Sequence, residues 1–325
     1  SISFSSLLVV SQETKINVAR SIGMYFIVRR ISNCLTSLIF INFTFGLHLF
    51  AKVSILTRKP YQMQTEKVIN HIVTWLKDYA TNAKMDGFVL GISGGIDSAL
   101  TSTLCAKTGL RVLCVEMPIH QDPKQVTRGQ EHIEQLKKRF ANVTDVKVDL
   151  TPVFEEFKTE IPATTDDSFL DLSLANTRAR LRMTTLYFFA GLHRYLVAGT
   201  GNKVEDFGVG FFTKYGDGGV DVSPIADLLK SEVYELSREL QVPASILNAA
   251  PTDGLFGDSR TDEDQIGASY DELEWAMKMQ DEGKNANDFK GRQQLVMQIY
   301  TRLNRANQHK MKPIPVCTIP ESFKK

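Results

Sequence analysis

The fold is decided by the stretch Phe88-Val89-Leu90-Gly91-Ile92-Ser93-Gly94-Gly95-Ile96-Asp97-Ser98, an apolar run that breaks into a glycine turn. Residues 88–92 have the length and residue types of a buried strand, and the pattern of residues 99–105 favours a helix. We therefore expect residues 93–98 to form the loop that connects the two.

This loop has the composition of an anion-binding site. Gly94 and Gly95 let backbone N–H groups approach a phosphate, the new helix adds its positive N-terminal end, and Ser93 and Ser98 add hydroxyl donors. Asp97 would repel bound phosphates unless a divalent cation lay between them, so we interpret it as a magnesium ligand. The alternative interpretation is a plain glycine turn with a capping serine.

The pattern Ser-Gly-Gly-x-Asp-Ser lacks the lysine and the spacing of the common mononucleotide-binding loop. Because it follows a predicted strand, it resembles the pyrophosphate loop of the N-type ATP pyrophosphatases. The resemblance implies cleavage of ATP to AMP and pyrophosphate, with activation of a second substrate by adenylation.

The composition of the 325 residues is that of an ordinary globular protein, with 43% hydrophobic and 23% charged residues. The formal net charge of +1 shows no excess of positive charge of the kind that binds nucleic acid, so we expect no nucleic-acid partner. The four cysteines form no C-x-x-C pair. They indicate reduced residues of a cytoplasmic protein, and neither a zinc site nor a disulfide framework.

Residues 1–62 differ from the rest of the chain, because they are poor in acids and rich in Ser, Ile, Phe and Leu. The uncharged run from Leu35 to Ala51 is at the short edge of what spans a bilayer, and the preceding Arg29-Arg30 is typical of a signal-anchor. We prefer the interpretation that the functional protein starts at Met63, where an amphipathic helix begins. Residues 1–62 would then be a non-native or disordered extension, and we expect no membrane association.

The order of the predicted elements in residues 63–325 indicates a parallel sheet. Further buried strands are predicted at residues 111–117, 144–150 and 195–199, with helices between them. Such alternation is typical of an α/β fold with a doubly wound parallel sheet and flanking helices. Ligands bind beyond the carboxyl ends of such strands, where we expect the loop after the first strand to meet Glu116 and Asp149.

A second cluster of hydroxyl, backbone and acidic groups follows the last predicted strand, in residues 199–208. Thr200 and backbone donors lie close to Glu205 and Asp206 in the sequence, which makes a second place to pair a metal ion with phosphates.

The next segment, residues 210–221, has the composition of a rigid binding loop. It combines four glycines with Lys214, Asp217 and Asp221, which makes it a poor core segment. The acidic residues 251–264 indicate a flexible lid.

Six blocks of this sequence together resemble the ammonia-dependent NAD synthetases. They are Gly-Ile-Ser-Gly-Gly-Ile-Asp-Ser at 91–98, Asn-x-x-Ala-Arg-x-Arg-Met at 176–183, Gly-Thr-Gly-Asn-Lys at 199–203, Gly-Phe-Phe-Thr-Lys-Tyr-Gly-Asp-Gly-Gly-Val-Asp at 210–221, Pro-Thr-Asp at 251–253 and His-Lys at 309–310. The resemblance runs from about Met63 to the C-terminus. It implies an adenine nucleotide alpha hydrolase-like, Rossmann-like fold and the conversion of deamido-NAD, ATP and ammonia into NAD, AMP and pyrophosphate.

Carried over position by position, the resemblance implies an ATP site with magnesium as the cofactor and Asp97 and Lys230 as catalytic residues. Asp97 and Glu205 would be the metal ligands. Asp206 is a rival to Glu205, because this chain has one residue more than the usual spacing between Thr200 and Gly210. The residues that would bind ATP are Gly91, Ile92, Ser93, Gly94, Gly95, Ile96, Asp97, Ser98, Thr200, Lys230 and Thr252.

The same resemblance implies that five residues bind deamido-NAD: Arg180, Lys214, Asp221, His309 and Lys310. It also implies a tight homodimer with this site at the interface, for which we expect the helix at residues 170–192 to be the main interface element. The chain has no room for a glutaminase domain, so free ammonia is the expected nitrogen donor.

Two other interpretations of the sequence stay open. Another adenylating amidotransferase or a thiolase would carry the same loop and would differ in the acceptor that triggers pyrophosphate release. A non-catalytic adenine-nucleotide sensor would share the fold, although a protein that only binds nucleotide does not need both Asp97 and Glu205.

Overall fold

The structure is a computed structural model that describes residues 63–162, 168–252 and 261–324. The predictions for residues 1–62, and the central part of the predicted lid, lie outside the described residues. In the part of the chain that is described, no helix is both long enough and apolar enough to cross a lipid bilayer.

Four strands form one parallel sheet, as the sequence predicts. They are β1 (Gly87–Gly91), β2 (Arg111–Glu116), β3 (Val143–Lys147) and β4 (Tyr195–Val197), in the spatial order β3-β2-β1-β4. Because the chain crosses from β3 at one edge of the sheet over β2 and β1 to reach β4 at the other edge, helices cover both faces of the sheet. The predicted α/β fold is therefore confirmed.

The α-helices of the described residues are named here in chain order: α1 (Thr65–Asn82), α2 (Ile96–Lys107), α3 (Pro123–Arg139), α4 (Thr151–Glu160), α5 (Leu170–His193), α6 (Lys230–Glu239), α7 (Ala244–Leu247), α8 (Asp262–Ile266), α9 (Tyr270–Asp281) and α10 (Gly291–Met311). Short 3₁₀ turns lie at Ala286–Asp288 and Glu321–Phe323, and a π-helix spans Val204–Val209.

The core has one apolar layer on each face of the sheet. Phe88 and Leu90 of β1 point into the layer formed with α1, α2, α3 and α6, whereas Val89 points into the layer that contains Phe154 of α4 and Ala190 of α5. Successive strand residues face opposite sides, so a central strand that is covered on both faces must be apolar throughout. This requirement explains the apolar run that opens the deciding stretch.

Helix α2 begins at Ile96, two residues earlier than the predicted end of the loop. Gly94 makes the early start possible, because its φ of +79° completes the turn in a conformation that favours glycine. A Cβ at Gly94 would also collide with the backbone carbonyl of Gln125. As a result Asp97 and Ser98 lie in the first helical turn, where their side chains have fixed directions.

The prediction that Asp149 joins the site is wrong. Strand β3 ends at Lys147, before Asp149, and the exposed Asp149 carboxylate accepts the backbone N–H of Thr151 at 2.9 Å. Asp149 therefore satisfies a free donor in the first turn of α4, a local role that short acidic side chains take at helix starts.

The π-helix Val204–Val209 is secured by one row of side chains on α10. Asn304, Asn307 and Lys310, spaced three residues apart, donate to backbone carbonyls within residues 208–212 at 2.7–2.8 Å. Helix ends leave carbonyl groups without intrahelical partners, and residues three apart lie on the same face of a helix. The C-terminal half of α10 thus completes the hydrogen bonding at the end of the π-helix.

We expect the buried His132 to make the protein less stable in acid. Its side chain is 0% exposed and lies 2.8 Å from Ser102 Oγ, and burial lowers the pKa of His132 from 6.5 to about 4. Between these two pH values the unfolded chain binds a proton that the folded chain does not, so stability falls as the pH falls. Linkage gives a loss of about 2 kcal/mol between pH 7 and pH 5.

Urea unfolding of the wild type and of His132→Asn at pH 7 and pH 5 tests this expectation. The variant is less stable at pH 7 because its packing changes, but its loss between the two pH values should be smaller by about 2 kcal/mol. An identical loss in both proteins would contradict the expectation.

Candidate active site

A cavity of about 280 Å³ opens at the carboxyl ends of β1, β2 and β4. Its walls come from the loop after β1, from residues 116–118 after β2 and from residues 198–201 after β4. Parallel strands present the segments that follow them at one edge of the sheet, which is why these three segments meet. Helices α5 and α6 and the π-helix contribute further lining residues.

Three ionisable side chains, one from each of three helices, meet in this cavity. Lys230 Nζ in α6 lies 2.6 Å from Asp97 Oδ2 in α2 and 3.0 Å from Glu205 Oε1 in the π-helix. Their side-chain exposures are 4% for Lys230, 17% for Asp97 and 16% for Glu205, so water screens these charges weakly. We call Asp97, Glu205 and Lys230 the ion triad.

Burial and charge pairing oppose each other in the ion triad. Burial raises the pKa of Asp97 even though Lys230 opposes the shift. Burial alone would also raise the pKa of Glu205, but Lys230 and the Tyr270 hydroxyl outweigh it, and the pKa is lowered. The two carboxylates raise the pKa of Lys230 against the effect of its own burial. Lys230 therefore stays protonated, and Asp97 is the acid of the triad that takes up a proton more readily.

A fully buried amide connects the two acids of the triad. Asn202 is 0% exposed, and its Nδ2 donates to Asp97 Oδ1 at 3.0 Å. Its Oδ1 accepts the backbone N–H groups of Val204 and Glu205 at 3.1 and 3.2 Å. The same side chain thus caps the start of the π-helix and contacts Asp97.

Tyr270 supports the triad from α9. Its hydroxyl lies 2.6 Å from Glu205 Oε1 and 3.2 Å from Asp262 Oδ2, and its ring centroid lies 4.7 Å from Lys230 Nζ. Burial and the nearby carboxylates raise the pKa of Tyr270, so the hydroxyl keeps its proton and donates. The aromatic face adds a cation–π contact to the ammonium group.

Two more acids line the cavity beside the triad. Burial, with the nearby negative charges, raises the pKa of Asp206 to about 8. Asp217 accepts the backbone N–H of Thr213 at 2.9 Å, whereas the Asp206 carboxylate lies against Gly201. Glu205 and Asp206 are neighbours in sequence but point to different parts of the cavity.

Every residue predicted to bind ATP lines this one cavity, including the distant Thr200, Lys230 and Thr252. Within the loop after β1, the side chains of Ser93 and Ser98 form hydrogen bonds with the backbone of Gly95. Ser98 Oγ donates to the carbonyl of Gly95 at 3.0 Å, and Ser93 Oγ accepts the N–H of Gly95 at 3.2 Å.

The five residues predicted to bind deamido-NAD lie outside the walls of the cavity, in two groups. In the first group, Arg180 Nη2 donates to the carbonyl of Lys214 at 3.4 Å and Lys214 Nζ donates to the carbonyl of His309 at 2.6 Å. Lys310 belongs to this group through its contacts with the backbone of the same loop. Asp221 lies apart from them, where it accepts the N–H of Val197 at 2.8 Å and the hydroxyl of Tyr187 at 3.0 Å.

Helix α5 and the glycine-rich loop at residues 210–221 form one packed unit. Thr213 Oγ1 lies 2.6 Å from Asn176 Oδ1, and the backbone at Gly216 approaches Ala179 so closely that a Cβ would lie 2.8 Å from the Ala179 methyl group. Two motifs that are separate in the sequence, Asn-x-x-Ala-Arg-x-Arg-Met and Gly-Phe-Phe-Thr-Lys-Tyr-Gly-Asp-Gly-Gly, are therefore the two sides of one contact.

Two site residues carry no prediction from the sequence, Asn202 and Tyr270. Asn202 stands inside the motif Gly-Thr-Gly-Asn-Lys, so a signal for it exists, although the motif does not tell which atoms the amide contacts. Tyr270 begins a helix, and no local pattern connects it to Glu205, which is 65 positions away in the chain.

The two carboxylates of the ion triad, together with the phosphates of a nucleotide, would supply the donor set of a magnesium site. Asp97 and Glu205 already converge on one cation, the Lys230 ammonium. No group of three or more His, Cys, Asp or Glu side chains suited to a metal ion is found in the described ranges. Mg²⁺ is commonly held by one or two carboxylates, with phosphate oxygens and water as its other ligands, so two acids are sufficient.

Comparison with known proteins gives one consistent result. The sequence model described as NAD synthase matches residues 68–314. The NH(3)-dependent NAD(+) synthetase of Mesoplasma florum is 40% identical over 213 residues, which are 65% of this chain and 84% of that protein. The enzyme of the same name from Carboxydothermus hydrogenoformans is 35% identical over 259 residues, which are 79% of this chain and 98% of that protein.

Among solved structures, the NMN synthetase from Francisella tularensis superposes with a TM-score of 0.69 at 32% sequence identity. The match covers 79% of this chain and 100% of that one.

The ion triad predicts a large stability cost when its cation is removed. Lys230→Met leaves Asp97 and Glu205 buried without a counter-charge, and we expect the free energy of unfolding to fall by about 3–5 kcal/mol. Lys203→Met is the matched control, because Lys203 pairs with Asp227 at 2.9 Å but on the surface, where Asp227 is 96% exposed.

An exposed pair of this kind contributes at most about 1 kcal/mol. Urea unfolding at pH 7 measures both variants. Equal losses for Lys230→Met and Lys203→Met would contradict the assignment of Lys230 as the counter-ion of a buried acid pair.

Proposed function

The chain belongs to the NAD synthase family, and we infer that it is a ligase that forms NAD from deamido-NAD, ATP and ammonia, with AMP and pyrophosphate as the other products. The family predicted from the sequence motifs is thereby confirmed. The observation that carries the inference is the ion triad beside the glycine loop after β1, within one cavity. The names of the relatives supply the nitrogen donor and the product.

The reaction needs two steps because a carboxylate is a poor electrophile. In the first step, an oxygen of the nicotinate carboxylate bonds to the α-phosphorus of ATP, and the bond from that phosphorus to pyrophosphate breaks. In the second step, the nitrogen of ammonia bonds to the activated carbonyl carbon, and AMP leaves with the former carboxylate oxygen. The protein must bring two anions together and neutralise charge on the leaving pyrophosphate, which is mainly positional and electrostatic work.

The cavity residues take their roles from their positions. The backbone N–H groups of the loop and the N-terminal end of α2 bind the phosphates of ATP, and Thr200 and Thr252 add hydroxyl groups on the cavity wall. Lys230 stabilises the negative charge that develops on pyrophosphate, because its ammonium group stays protonated in the same cavity.

Magnesium is part of this proposal. Asp97 and Glu205 would hold the ion, which when bound stabilises charge on the phosphate oxygens. Glu205 is the better candidate for the second ligand than Asp206. Its carboxylate shares a cation with Asp97 at hydrogen-bond distance, whereas the Asp206 carboxylate lies against Gly201.

The acceptor site of this proposal lies at the glycine-rich loop that packs on α5. The exposed Arg180 and the half-buried Lys214 offer positive charge for the phosphates of deamido-NAD, and His309 lies beside Lys214. Lys310 and Asp221 act mainly by fixing backbone: Lys310 Nζ donates to two main-chain carbonyls at 2.7 Å, and Asp221 accepts the backbone N–H of Val197.

Nicotinate mononucleotide is an alternative to deamido-NAD as the acceptor substrate. The solved structure with a TM-score of 0.69 carries the name NMN synthetase, and all of that chain is matched. Nicotinate mononucleotide has the same carboxylate as deamido-NAD and lacks only the adenylate half. The cavity chemistry therefore serves both acceptors, and the difference between them must arise outside the ion triad.

A homodimer is a further part of the proposal. Helix α5 buries only Ala175, Ala179 and Ala190 and leaves large apolar side chains exposed at Leu170, Leu172, Tyr187, Phe188 and Leu192. Phe188 and Leu192 are one helical turn apart on the same face, and exposed apolar side chains that lie together support an interaction site. A cytoplasmic location is also proposed, and the free thiols of Cys105, Cys114 and Cys317 support a reducing compartment.

A turnover assay tests the proposed reaction and the proposed acceptor. The full chain and a chain that starts at Met63 are each supplied with magnesium, ATP and either deamido-NAD or nicotinate mononucleotide, with ammonium or glutamine as nitrogen donor. We expect equal amounts of NAD and AMP from deamido-NAD with ammonium, in both chains. We expect kcat/KM for deamido-NAD to exceed that for nicotinate mononucleotide by at least about tenfold.

The outcomes of this assay separate the alternatives. Preference for nicotinate mononucleotide would replace the acceptor and keep the chemistry. Nucleotide binding without formation of AMP would favour a sensor, and activity of the full chain alone would contradict the prediction that residues 1–62 are dispensable.

The proposed dimer predicts that charge on the exposed face of α5 separates the subunits. Phe188 is 63% exposed, and Phe188→Glu would place a carboxylate within the apolar surface. Light scattering should then give the mass of one chain in place of two. Leu295→Glu on α10, where Leu295 is 46% exposed, is the matched control and should leave the mass unchanged. A Phe188→Glu protein that stays a dimer would contradict the interface.

A further inference from the structure

Asn202 carries no charge, and its side chain bonds the Asp97 carboxylate and the backbone of Glu205. Its Nδ2 donates to Asp97 Oδ1 at 3.0 Å, and its Oδ1 accepts the backbone N–H of Glu205 at 3.2 Å. The side chain is completely buried at the start of the π-helix.

The orientation of this amide is fixed by its partners. Two backbone N–H groups, of Val204 and Glu205, point at one side of the Asn202 side chain, and only the oxygen can accept them. The NH₂ group must therefore face Asp97, so a rotation of the amide by 180° would break three hydrogen bonds.

From this geometry we propose that Asn202 is a positioning residue, which holds Asp97 and Glu205 at the separation required to bind the magnesium nucleotide. The proposal rests on the proposed function only in that the ligand is a magnesium nucleotide. Asn202 touches neither the reacting carboxylate nor ammonia in this assignment, and it acts through the two acids.

A neutral donor suits this task better than a second cation. Another lysine or arginine at this place would hold Asp97 equally well but would compete with a divalent cation for the two carboxylates. An amide fixes the acid by a hydrogen bond and leaves the net negative charge of the triad intact, which is the charge that attracts the metal ion. Through the Asn202 side chain, the orientation of the Asp97 carboxylate also depends on the first turn of the π-helix, which contains Glu205.

The competing interpretation is that Asn202 only caps the π-helix. Two substitutions separate the two roles, because capping and contact with Asp97 need different atoms. Serine is as good a capping residue as asparagine, but its hydroxyl is too short to reach Asp97 while it caps. Alanine removes both the cap and the contact.

The experiment measures metal binding and stability in Asn202→Ser and Asn202→Ala. Binding of Mn²⁺ in the presence of α,β-methylene-ATP is followed by electron paramagnetic resonance, and thermal unfolding is followed without ligand. We expect both variants to bind Mn²⁺ at least about tenfold more weakly than the wild type, as is typical when a residue behind a metal ligand is removed. Asn202→Ala should lose more thermal stability than Asn202→Ser, because alanine removes the cap as well as the contact with Asp97.

Asn285→Ser is the matched control, because Asn285 caps a 3₁₀ turn on the surface through the same kind of contact to the N–H of Asn287. It should leave Mn²⁺ binding unchanged. Asn202→Ser with wild-type Mn²⁺ binding would overturn the proposal and leave Asn202 as a cap. Because neither measurement involves an acceptor or ammonia, failure of the proposed reaction in the turnover assay would be recognised separately.

Discussion

One ammonium group held between two buried carboxylates is the interaction on which the active site depends. Burial of a charged acid costs several kcal/mol, and two acids in contact would also repel each other. Lys230 offsets both effects for Asp97 and Glu205, and it can do so only when α2, the π-helix and α6 are all in place. The triad therefore links segments that are far apart in the sequence, and its formation requires the finished fold.

The resemblance to the ammonia-dependent NAD synthetases implies one residue more than the usual spacing between Thr200 and Gly210, and we propose that the π-helix Val204–Val209 accommodates it. A π-turn contains one residue more than an α-turn, and such turns occur mostly at functional sites. In this proposal the additional residue follows Glu205 within the π-helix, so Asn202, Glu205 and the glycine-rich loop keep their places. The end of the π-helix leaves backbone carbonyls without partners inside the helix. Asn304, Asn307 and Lys310 of α10 donate hydrogen bonds to them.

The sequence predicts those parts of the fold that are determined by residues close together in the chain. The apolar run before Gly91 and the glycine turn after it determine a central strand, a turn and a helix start, and the alternation of strands and helices determines a parallel sheet. The ends of elements depend on tertiary contacts, and for this reason Asp149 was misplaced at the edge of β3, where a short strand gives way to a helix start. Asn202 and Tyr270 could not be assigned because their partners, Asp97 and Glu205, are distant in sequence.

Helix α5 shows how the site and the proposed dimer depend on each other. One face of α5 carries Asn176 and Ala179, which hold the glycine-rich loop, and Arg182, whose side chain lines the nucleotide cavity. The opposite face carries Phe188 and other exposed apolar residues. Leu174, Leu181, Leu186 and Phe189 pack α5 against the core of its own subunit, and Phe188 stays exposed, so a second copy that covers Phe188 would also fix the position of the loop. Association would thereby order the acceptor site, while the ion triad, which lies within one subunit, is complete without it.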